Sequence, residues 1–233
     1  ADVNAQGGYY GNALQAASYR GYEQVVKTLL NKGANVHAQG RVFGNALQIA
    51  SYKGHEQVVK TLLDAGAKVN AQGGGYSNAL QAASEGGHEQ VVKTLLNKGA
   101  NVHAQGRVFG NALQIASYKG HKQVVKTLLN AGAKVNAQGG GYGNALQAAS
   151  YRGHEQVVKT LLDAGAKVNA QGGSYGNALQ AASYRGHEQV VKTLLDAGAK
   201  VNAQGGGYGN ALQAASYRGH EQVVKTLLNL GAH

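Results

Sequence analysis

A unit of 33 residues recurs along the whole sequence, and this fixed period constrains the fold more than any other feature. Residues 143–162 read GNALQAASYRGHEQVVKTLL, and close copies of this stretch follow one another at constant spacing. The copies begin at Gly11, Gly44, Ser77, Gly110, Gly143, Gly176 and Gly209. A period of this length is typical of solenoids, in which each small repeat stacks on the next one.

The period divides the chain into seven repeats, which we interpret as a single domain over residues 1–233, because a solenoid grows without a domain boundary. The predicted repeats span residues 7–39, 40–72, 73–105, 106–138, 139–171, 172–204 and 205–233. Residues 1–6 are interpreted as the tail of a truncated preceding repeat. The terminal repeats keep the apolar residues of internal repeats, such as Ala13 and Leu228, so we expect uncapped ends and end-to-end self-association.

Composition excludes several classes of site. The chain has no cysteine, which excludes disulfides, thiolate metal sites and a cysteine nucleophile. No apolar run approaches the ~20 residues of a membrane-spanning helix, and no signal or transit peptide is recognised at this N-terminus. We therefore expect a cytoplasmic protein with no membrane association. The formal net charge of +11 makes it a basic protein.

Each repeat carries the signals for two short helices, as repeat 3 illustrates. Asn78 followed by Gln81 forms an N-x-x-Q capping box, which predicts a helix from Ala79 to about Glu85. A second helix is predicted at about Glu89 to Asn97, with Gly99 as its glycine cap, and the Gly-rich remainder is predicted to be a finger-like turn. Isolated helices shorter than ~12–15 residues are marginal in water, so the repeats must stack to bury their apolar faces.

Three columns of residues, meaning sets that occupy equivalent positions in successive repeats, are predicted to have structural roles. One buried row is predicted for Leu14, Leu47, Leu80, Leu113, Leu146, Leu179 and Leu212. Ion pairs at i,i+4 are predicted for Glu23–Lys27, Glu56–Lys60, Glu89–Lys93, Glu155–Lys159, Glu188–Lys192 and Glu221–Lys225. A column of histidines precedes the second helices, and this position favours hydrogen bonds between repeats: His55, His88, His121, His154, His187 and His220. A shared metal ion is not expected, because side chains one packed-helix spacing apart, ~8–10 Å, are too distant to bind the same ion.

No catalytic or cofactor-binding arrangement is recognised. The GGGYG run at 139–143 lacks the phosphate-loop and dinucleotide patterns, and its recurrence indicates turns. The serine near the end of each first helix (Ser18, Ser51, Ser84, Ser117, Ser150, Ser183 and Ser216) occupies a packing position, and no nucleophile–base–acid set can be assembled. We therefore predict that the protein is not an enzyme and uses no cofactor and no metal.

The second half of each repeat resembles the ankyrin repeat. The resemblance rests on pairs such as Gly153-His154, Val157-Val158, Leu161-Leu162 and Gly165-Ala166, and it covers all 233 residues. It implies an all-α solenoid, a stack of seven helix–turn–helix repeats with projecting finger turns. The first half departs from the family, which usually has T-P-L-H where this chain has N-A-L-Q at 144–147.

The G-N-A-L-Q-A-A-S stretch is similar to the ankyrin arrays of fungal NOD-like receptors. In such proteins, near-identical repeats form the recognition end of a larger signalling protein. The resemblance therefore implies a place in an innate immunity receptor, although the 233 residues carry no nucleotide-binding domain.

The ankyrin resemblance implies that two adjacent columns at the end of the first helix line a concave groove. These candidate partner-binding residues are Tyr19, Arg20, Tyr52, Lys53, Tyr118, Lys119, Tyr151, Arg152, Tyr184, Arg185, Tyr217 and Arg218. Tyrosine and arginine are enriched in interface cores, which favours binding over the alternative that the rings cover helix ends and the cations are merely solvated. Glu85 and Gly86 interrupt both columns, and Arg41 and Arg107 add positive charge to the fingers.

A second aromatic column runs through the fingers. It comprises Tyr10, Phe43, Tyr76, Phe109, Tyr142, Tyr175 and Tyr208. At a repeat spacing of ~8–10 Å these rings would be too far apart to stack, so each is expected to pack on its own finger and helix.

The leading functional hypothesis is a protein–protein interaction module whose groove binds a protein or peptide partner, expected to be acidic. One alternative is binding to nucleic acid or an anionic surface, which the absence of any dedicated motif disfavours. The other is an architectural or engineered scaffold without a dedicated partner.

Overall fold

The computed structural model describes all 233 residues and contains fourteen α-helices in seven pairs, with no β-strand. The first helices of the repeats are α1 (Ala13–Arg20), α3 (Ala46–Lys53), α5 (Ala79–Gly86), α7 (Ala112–Lys119), α9 (Ala145–Arg152), α11 (Ala178–Arg185) and α13 (Ala211–Arg218). The second helices are α2 (Glu23–Asn31), α4 (Glu56–Asp64), α6 (Glu89–Asn97), α8 (Lys122–Asn130), α10 (Glu155–Asp163), α12 (Glu188–Asp196) and α14 (Glu221–Asn229). They form two compact bodies, body 1 (Ala1–Gly106) and body 2 (Arg107–His233). Each body is a helix–turn–helix repeat solenoid, as expected.

The first helix of every repeat begins at the predicted capping box. In repeat 5 the Asn144 side chain accepts from the Gln147 N–H at 2.9 Å, and the Gln147 side chain accepts from the Asn144 N–H at 2.8 Å. At the other end, Gly153 adopts the left-handed conformation with φ 77° and closes the helix. Both helix ends thus have partners for backbone groups that the helix itself leaves unpaired.

The second helices begin without a side-chain cap and end at a glycine. In α10 the N–H groups of Gly165 and Ala166 donate to Leu162 and Leu161 at 3.0 Å each, which is the Schellman pattern. All six predicted Glu–Lys ion pairs are confirmed, with N···O distances of 2.7–2.9 Å. These pairs are exposed, so each contributes only ~0.2–0.5 kcal/mol. The second helices are therefore stabilised mainly by burial of their apolar faces.

Packing of the first helices against one another forms the core of each body. Helices α1, α3 and α5 pack in sequence in body 1, as do α7, α9, α11 and α13 in body 2. Six of the predicted leucines are no more than 2% exposed: Leu14, Leu47, Leu80, Leu113, Leu146 and Leu179. Leu212 is half-buried. The leucine prediction is therefore confirmed except at repeat 7.

Within each body, a buried glutamine joins one repeat to the following one. The Gln147 amide nitrogen donates to the carbonyl oxygens of Gly176 at 2.7 Å and Gly172 at 2.9 Å. Equivalent bonds to the next finger extend from Gln15, Gln48, Gln114 and Gln180. One side chain therefore closes the capping box of its own helix and holds the finger of the next repeat.

In repeats 2, 3, 5, 6 and 7 the histidine before the second helix reaches back to the preceding repeat. The Nε2 atoms of His154 and His187 lie 2.8 and 2.9 Å from the carbonyl oxygens of Tyr118 and Tyr151. His55, His88 and His220 make the same contact. A carbonyl oxygen only accepts, so Nε2 carries the proton, which a neutral imidazole can supply. The predicted hydrogen bonds between repeats are confirmed at these five positions.

Ser77 is the only non-glycine residue with a positive φ, 65°, and the other six repeats have glycine at this position. A left-handed conformation costs a residue with a Cβ ~1–2 kcal/mol. Replacing Ser77 with glycine should therefore raise the free energy of unfolding by ~1 kcal/mol, measured by urea denaturation. The reverse change, Gly143→Ser, should lower it, because a Cβ there would also overlap the Gln147 side chain. A destabilised Ser77→Gly variant would contradict this account.

Acidification should destabilise the stack through its histidines. Burial, with help from neighbouring Arg152 and Arg185, lowers the pKa of His154 and His187 below the usual value. Near pH 6.5 the unfolded chain therefore binds protons that the folded chain does not, so the free energy of unfolding falls as pH decreases below about 6.5. The urea midpoint should be lower at pH 5.5 than at pH 7.5.

A His154→Gln, His187→Gln double variant should show a smaller change of midpoint between the two pH values than the parent chain. Carboxylates do not interfere, because they titrate near pH 4. An unchanged or higher midpoint of the parent chain at pH 5.5 would show that the buried histidines do not control this pH dependence.

Candidate functional site

The fingers are joined tip to tip by backbone hydrogen bonds. In body 2 the Gly141 N–H donates to Val108 at 3.2 Å, the Ser174 N–H to Gly141 at 3.1 Å and the Gly207 N–H to Ser174 at 3.4 Å. In body 1 the Gly75 N–H donates to Val42 at 3.1 Å. Backbones that bond in this way lie ~4.8 Å apart, about half the spacing of packed helices. The fingertips are thus closer together than the helices from which they project.

This close approach brings the finger aromatics into direct contact. Ring centroids are 6.2 Å apart in the stacked pairs Phe43–Tyr76 and Phe109–Tyr142, 6.3 Å in Tyr175–Tyr208 and 6.4 Å in Tyr10–Phe43. The prediction that these rings are too far apart to stack is therefore wrong. It applied the helix spacing to fingers, whose spacing is set by backbone hydrogen bonds.

The tyrosines that end the first helices insert between the finger rings. In body 2 successive rings alternate between finger and helix, with centroids 4.7–5.3 Å apart at each step. We call this series the aromatic ladder: Phe109, Tyr118, Tyr142, Tyr151, Tyr175, Tyr184, Tyr208 and Tyr217. Body 1 has a shorter version in Tyr10, Tyr19, Phe43, Tyr76 and Tyr52. Such contacts add ~0.5–1.5 kcal/mol per pair beyond area burial.

Three arginines of body 2 each lie over the ladder tyrosine of the preceding repeat. The Arg152 guanidinium is 4.8 Å from the centroid of Tyr118, and its Nη1 donates to the tyrosine hydroxyl at 3.1 Å. Arg185 on Tyr151 and Arg218 on Tyr184 repeat this geometry at 4.8 and 5.0 Å. The Tyr–Arg pairs of the sequence therefore form between neighbouring repeats.

Body 1 follows the same arrangement in part. The Lys53 ammonium is 4.7 Å from the Tyr19 centroid, whereas Arg20 lies over Tyr22, 5.7 Å away. Glu85 takes the tyrosine position of repeat 3, so the aromatic series of body 1 ends with Tyr52 and Tyr76. The predicted interruption of the tyrosine column is thus present in the structure.

The remaining predicted residues differ in their surroundings. All predicted cations are exposed, and the predicted tyrosines are half-buried except Tyr217, which is 71% exposed. Lys119 lies exposed at the end of α7. Arg41 and Arg107 lie exposed in the fingers and are not stacked on any of these rings. Sequence reasoning missed that the finger aromatics belong to the same surface, although their shared period with the helix tyrosines was the available signal.

Contacts within this surface shift the pKa values of its tyrosines in both directions. Burial and neighbouring tyrosines raise the pKa of Tyr142 to about 12, and burial also raises the pKa of Tyr76 and Tyr175. Hydrogen bonds from Tyr142 and Arg152 lower the pKa of Tyr118, and a hydrogen bond from Tyr208 with the charge of Arg218 lowers the pKa of Tyr184.

Two further classes of site have no counterpart in the structure. No three His, Asp or Glu side chains are grouped closely enough to hold a metal ion. None of the fourteen helices has the length and apolar content needed to span a membrane.

Comparisons with known proteins identify the repeat. The family model for ankyrin repeats (three copies) matches residues 1–73, 73–139, 113–205 and 146–233. Among solved structures, the chain is similar to the human ASB11 ankyrin repeat domain, with a TM-score of 0.81 and 27% sequence identity over 92% of this chain and 96% of that one. No curated protein sequence matches the chain significantly.

Proposed function

Since this chain belongs to the ankyrin repeat family, we propose that it binds an extended, acidic protein segment in the cytoplasm along the aromatic ladder and its arginines. Ankyrin repeats are in general protein–protein interaction modules. The observation that carries the proposal is the seating of Arg152, Arg185 and Arg218 on the tyrosines of the preceding repeats.

This seating prepares the arginines for binding. A free arginine side chain loses rotamer freedom when it is immobilised at an interface, which costs ~0.5–1.5 kcal/mol. Here the tyrosine ring and hydroxyl already hold the guanidinium, and only one of its five N–H donors is used by the hydroxyl. The remaining donors are free for the two oxygens of a carboxylate, which guanidinium binds in a bidentate manner.

The surrounding composition also favours a protein partner. Half-buried tyrosines next to exposed arginines are the residue types that dominate binding energy at interfaces. The excess of positive charge would attract an acidic partner over a distance and speed its association at low salt.

The G-N-A-L-Q-A-A-S repeat supports a narrower proposal, that the array is the recognition end of a fungal NOD-like receptor in innate immunity. Identification of a nucleotide-binding domain encoded in the same reading frame would support it, and a complete frame without one would contradict it.

End-to-end self-association is a separate proposal. It is supported by apolar side chains exposed at the first and last repeats, among them Tyr22 and Val25 at one end and Leu228 and Leu230 at the other. Sedimentation velocity over a concentration series would test it, and a monomer at all concentrations would exclude it.

Removing the three arginines that lie on the aromatic ladder should weaken binding. Acidic peptides selected on the chain from a displayed library should lose at least about tenfold in affinity when Arg152, Arg185 and Arg218 are all changed to alanine, since hydrogen bonds to charged groups contribute ~1.5–3 kcal/mol. Fluorescence anisotropy measures the affinity. A Tyr184→Phe variant keeps the ring contacts and loses only one hydroxyl, so it should bind nearly as well as the parent.

The matched control changes Lys134, Lys167 and Lys200 to alanine, which removes the same charge from exposed positions outside the ladder. Equal losses in both triple variants would show that net charge alone drives binding. Tighter binding to single-stranded DNA, with a steep loss on adding salt, would favour the nucleic-acid alternative. Failure to select any peptide would favour a scaffold without a partner.

A further inference from the structure

One position of the finger is glycine in most repeats, for a steric reason. Gly74, Gly140, Gly173 and Gly206 have φ near 62° and lie against the backbone of the preceding finger. A Cβ added at Gly140 or Gly173 would be 2.6 Å from the carbonyl carbon of Phe109 or Tyr142. Close contact between consecutive fingers therefore requires glycine here.

Arg41 occupies this position in repeat 2, so its finger cannot approach that of repeat 1 in the same way. Arg41 does not adopt a positive φ, since Ser77 is the only non-glycine residue that does. The Val42 N–H and the Tyr9 carbonyl correspond to the bonded groups of Gly75 and Val42 in the next finger pair, yet they form no backbone hydrogen bond. The tips of the first two fingers are thus not joined by a backbone hydrogen bond, although the Tyr9 and Phe43 rings are in contact at 5.4 Å.

A cleft of about 770 Å³ lies between these fingers. Tyr9, Arg41 and Val42 line it together with glycine backbone, Gln6 and Gln39. Arg41 is the only charged residue in the lining. Tyr9 and Val42 are 67% and 51% exposed. The cleft therefore offers apolar surface, one cation and an unpaired backbone donor and acceptor.

We propose that this cleft, the Arg41 cleft, binds an extended acidic peptide between the first two fingers. The peptide backbone accepts from the Val42 N–H and donates to the Tyr9 carbonyl, replacing the bond that the later fingertips make with one another. A peptide carboxylate pairs with Arg41, while apolar side chains cover Tyr9 and Val42. The site is independent of the ladder arginines, which lie in body 2.

Three substitutions of Arg41 separate the geometry of the cleft from its charge. Arg41→Gly restores the glycine found in the fingers that bond to one another. Arg41→Ala removes the positive charge but keeps a Cβ, and Arg41→Lys keeps both the positive charge and the Cβ. The probe is a fluorescein-labelled, N-acetylated and C-amidated peptide of alternating glutamate and valine, and a version with glutamine in place of glutamate serves for comparison.

The Arg41→Gly and Arg41→Ala variants should each lose about tenfold or more in affinity for the glutamate peptide by anisotropy, and Arg41→Lys should stay within about threefold of the parent. Arg41→Ala should no longer distinguish the glutamate from the glutamine peptide. Arg41→Gly should also slow hydrogen exchange of the Val42 amide without any peptide, because the fingertip bond forms. Lys134→Ala removes the same charge elsewhere and should bind like the parent.

The proposal is overturned if the parent chain does not bind the glutamate peptide, or if Arg41→Gly binds it as the parent does. It is also overturned if the peptide shifts amide NMR signals of residues 118–218 and leaves those of residues 8–42 unchanged. The triple arginine variant of the ladder should retain this binding, so failure at the Arg41 cleft and failure at the ladder are distinguishable.

Discussion

The buried glutamine of the first helix is the interaction on which the stack most depends. Its carbonyl oxygen closes the capping box of its own helix, and its amide group donates to the finger of the next repeat. Eight- and nine-residue helices are too short to persist alone in water. Formation of a helix and attachment of its neighbour are therefore coupled, because the same side chain serves both. The histidine bond in the reverse direction adds a second connection between adjacent repeats.

The molecule combines two spacings, and its surface chemistry follows from the difference between them. Helices pack at a distance set by their side chains, whereas fingertips approach to the distance of a backbone hydrogen bond. Rings attached to the fingers can therefore stack directly, and rings from the helices fill the steps between them. A continuous aromatic surface results in body 2, and the arginines are held on it by ring and hydroxyl.

Small departures from the repeat carry the functional variation. Glycine at the position of Gly74 and Gly140 allows the tips of consecutive fingers to form a backbone hydrogen bond. Arg41 occupies this position in repeat 2, and the bond to repeat 1 does not form. Glu85 in the tyrosine column ends the aromatic series of body 1. Near-identical repeats thus yield different local surfaces, because one side chain changes either the charge or the distance between neighbours. The core positions, which every repeat must match to its neighbours, vary much less.

The sequence alone determined the helices, their caps, the ion pairs and the buried leucines. These features depend on signals within about 20 residues of one repeat and on the fixed period, so Asn144, Gln147 and Gly153 could be interpreted without coordinates. It also indicated which columns carry tyrosine and arginine. Only the tertiary structure decided how those columns meet: that Arg152 lies over Tyr118 of the preceding repeat, that Tyr142 stacks on Phe109 and that no backbone hydrogen bond joins the first two fingertips. The physical reason is that such contacts join different repeats, and their distances depend on backbone hydrogen bonds between fingers, which the spacing of residues along the chain does not specify.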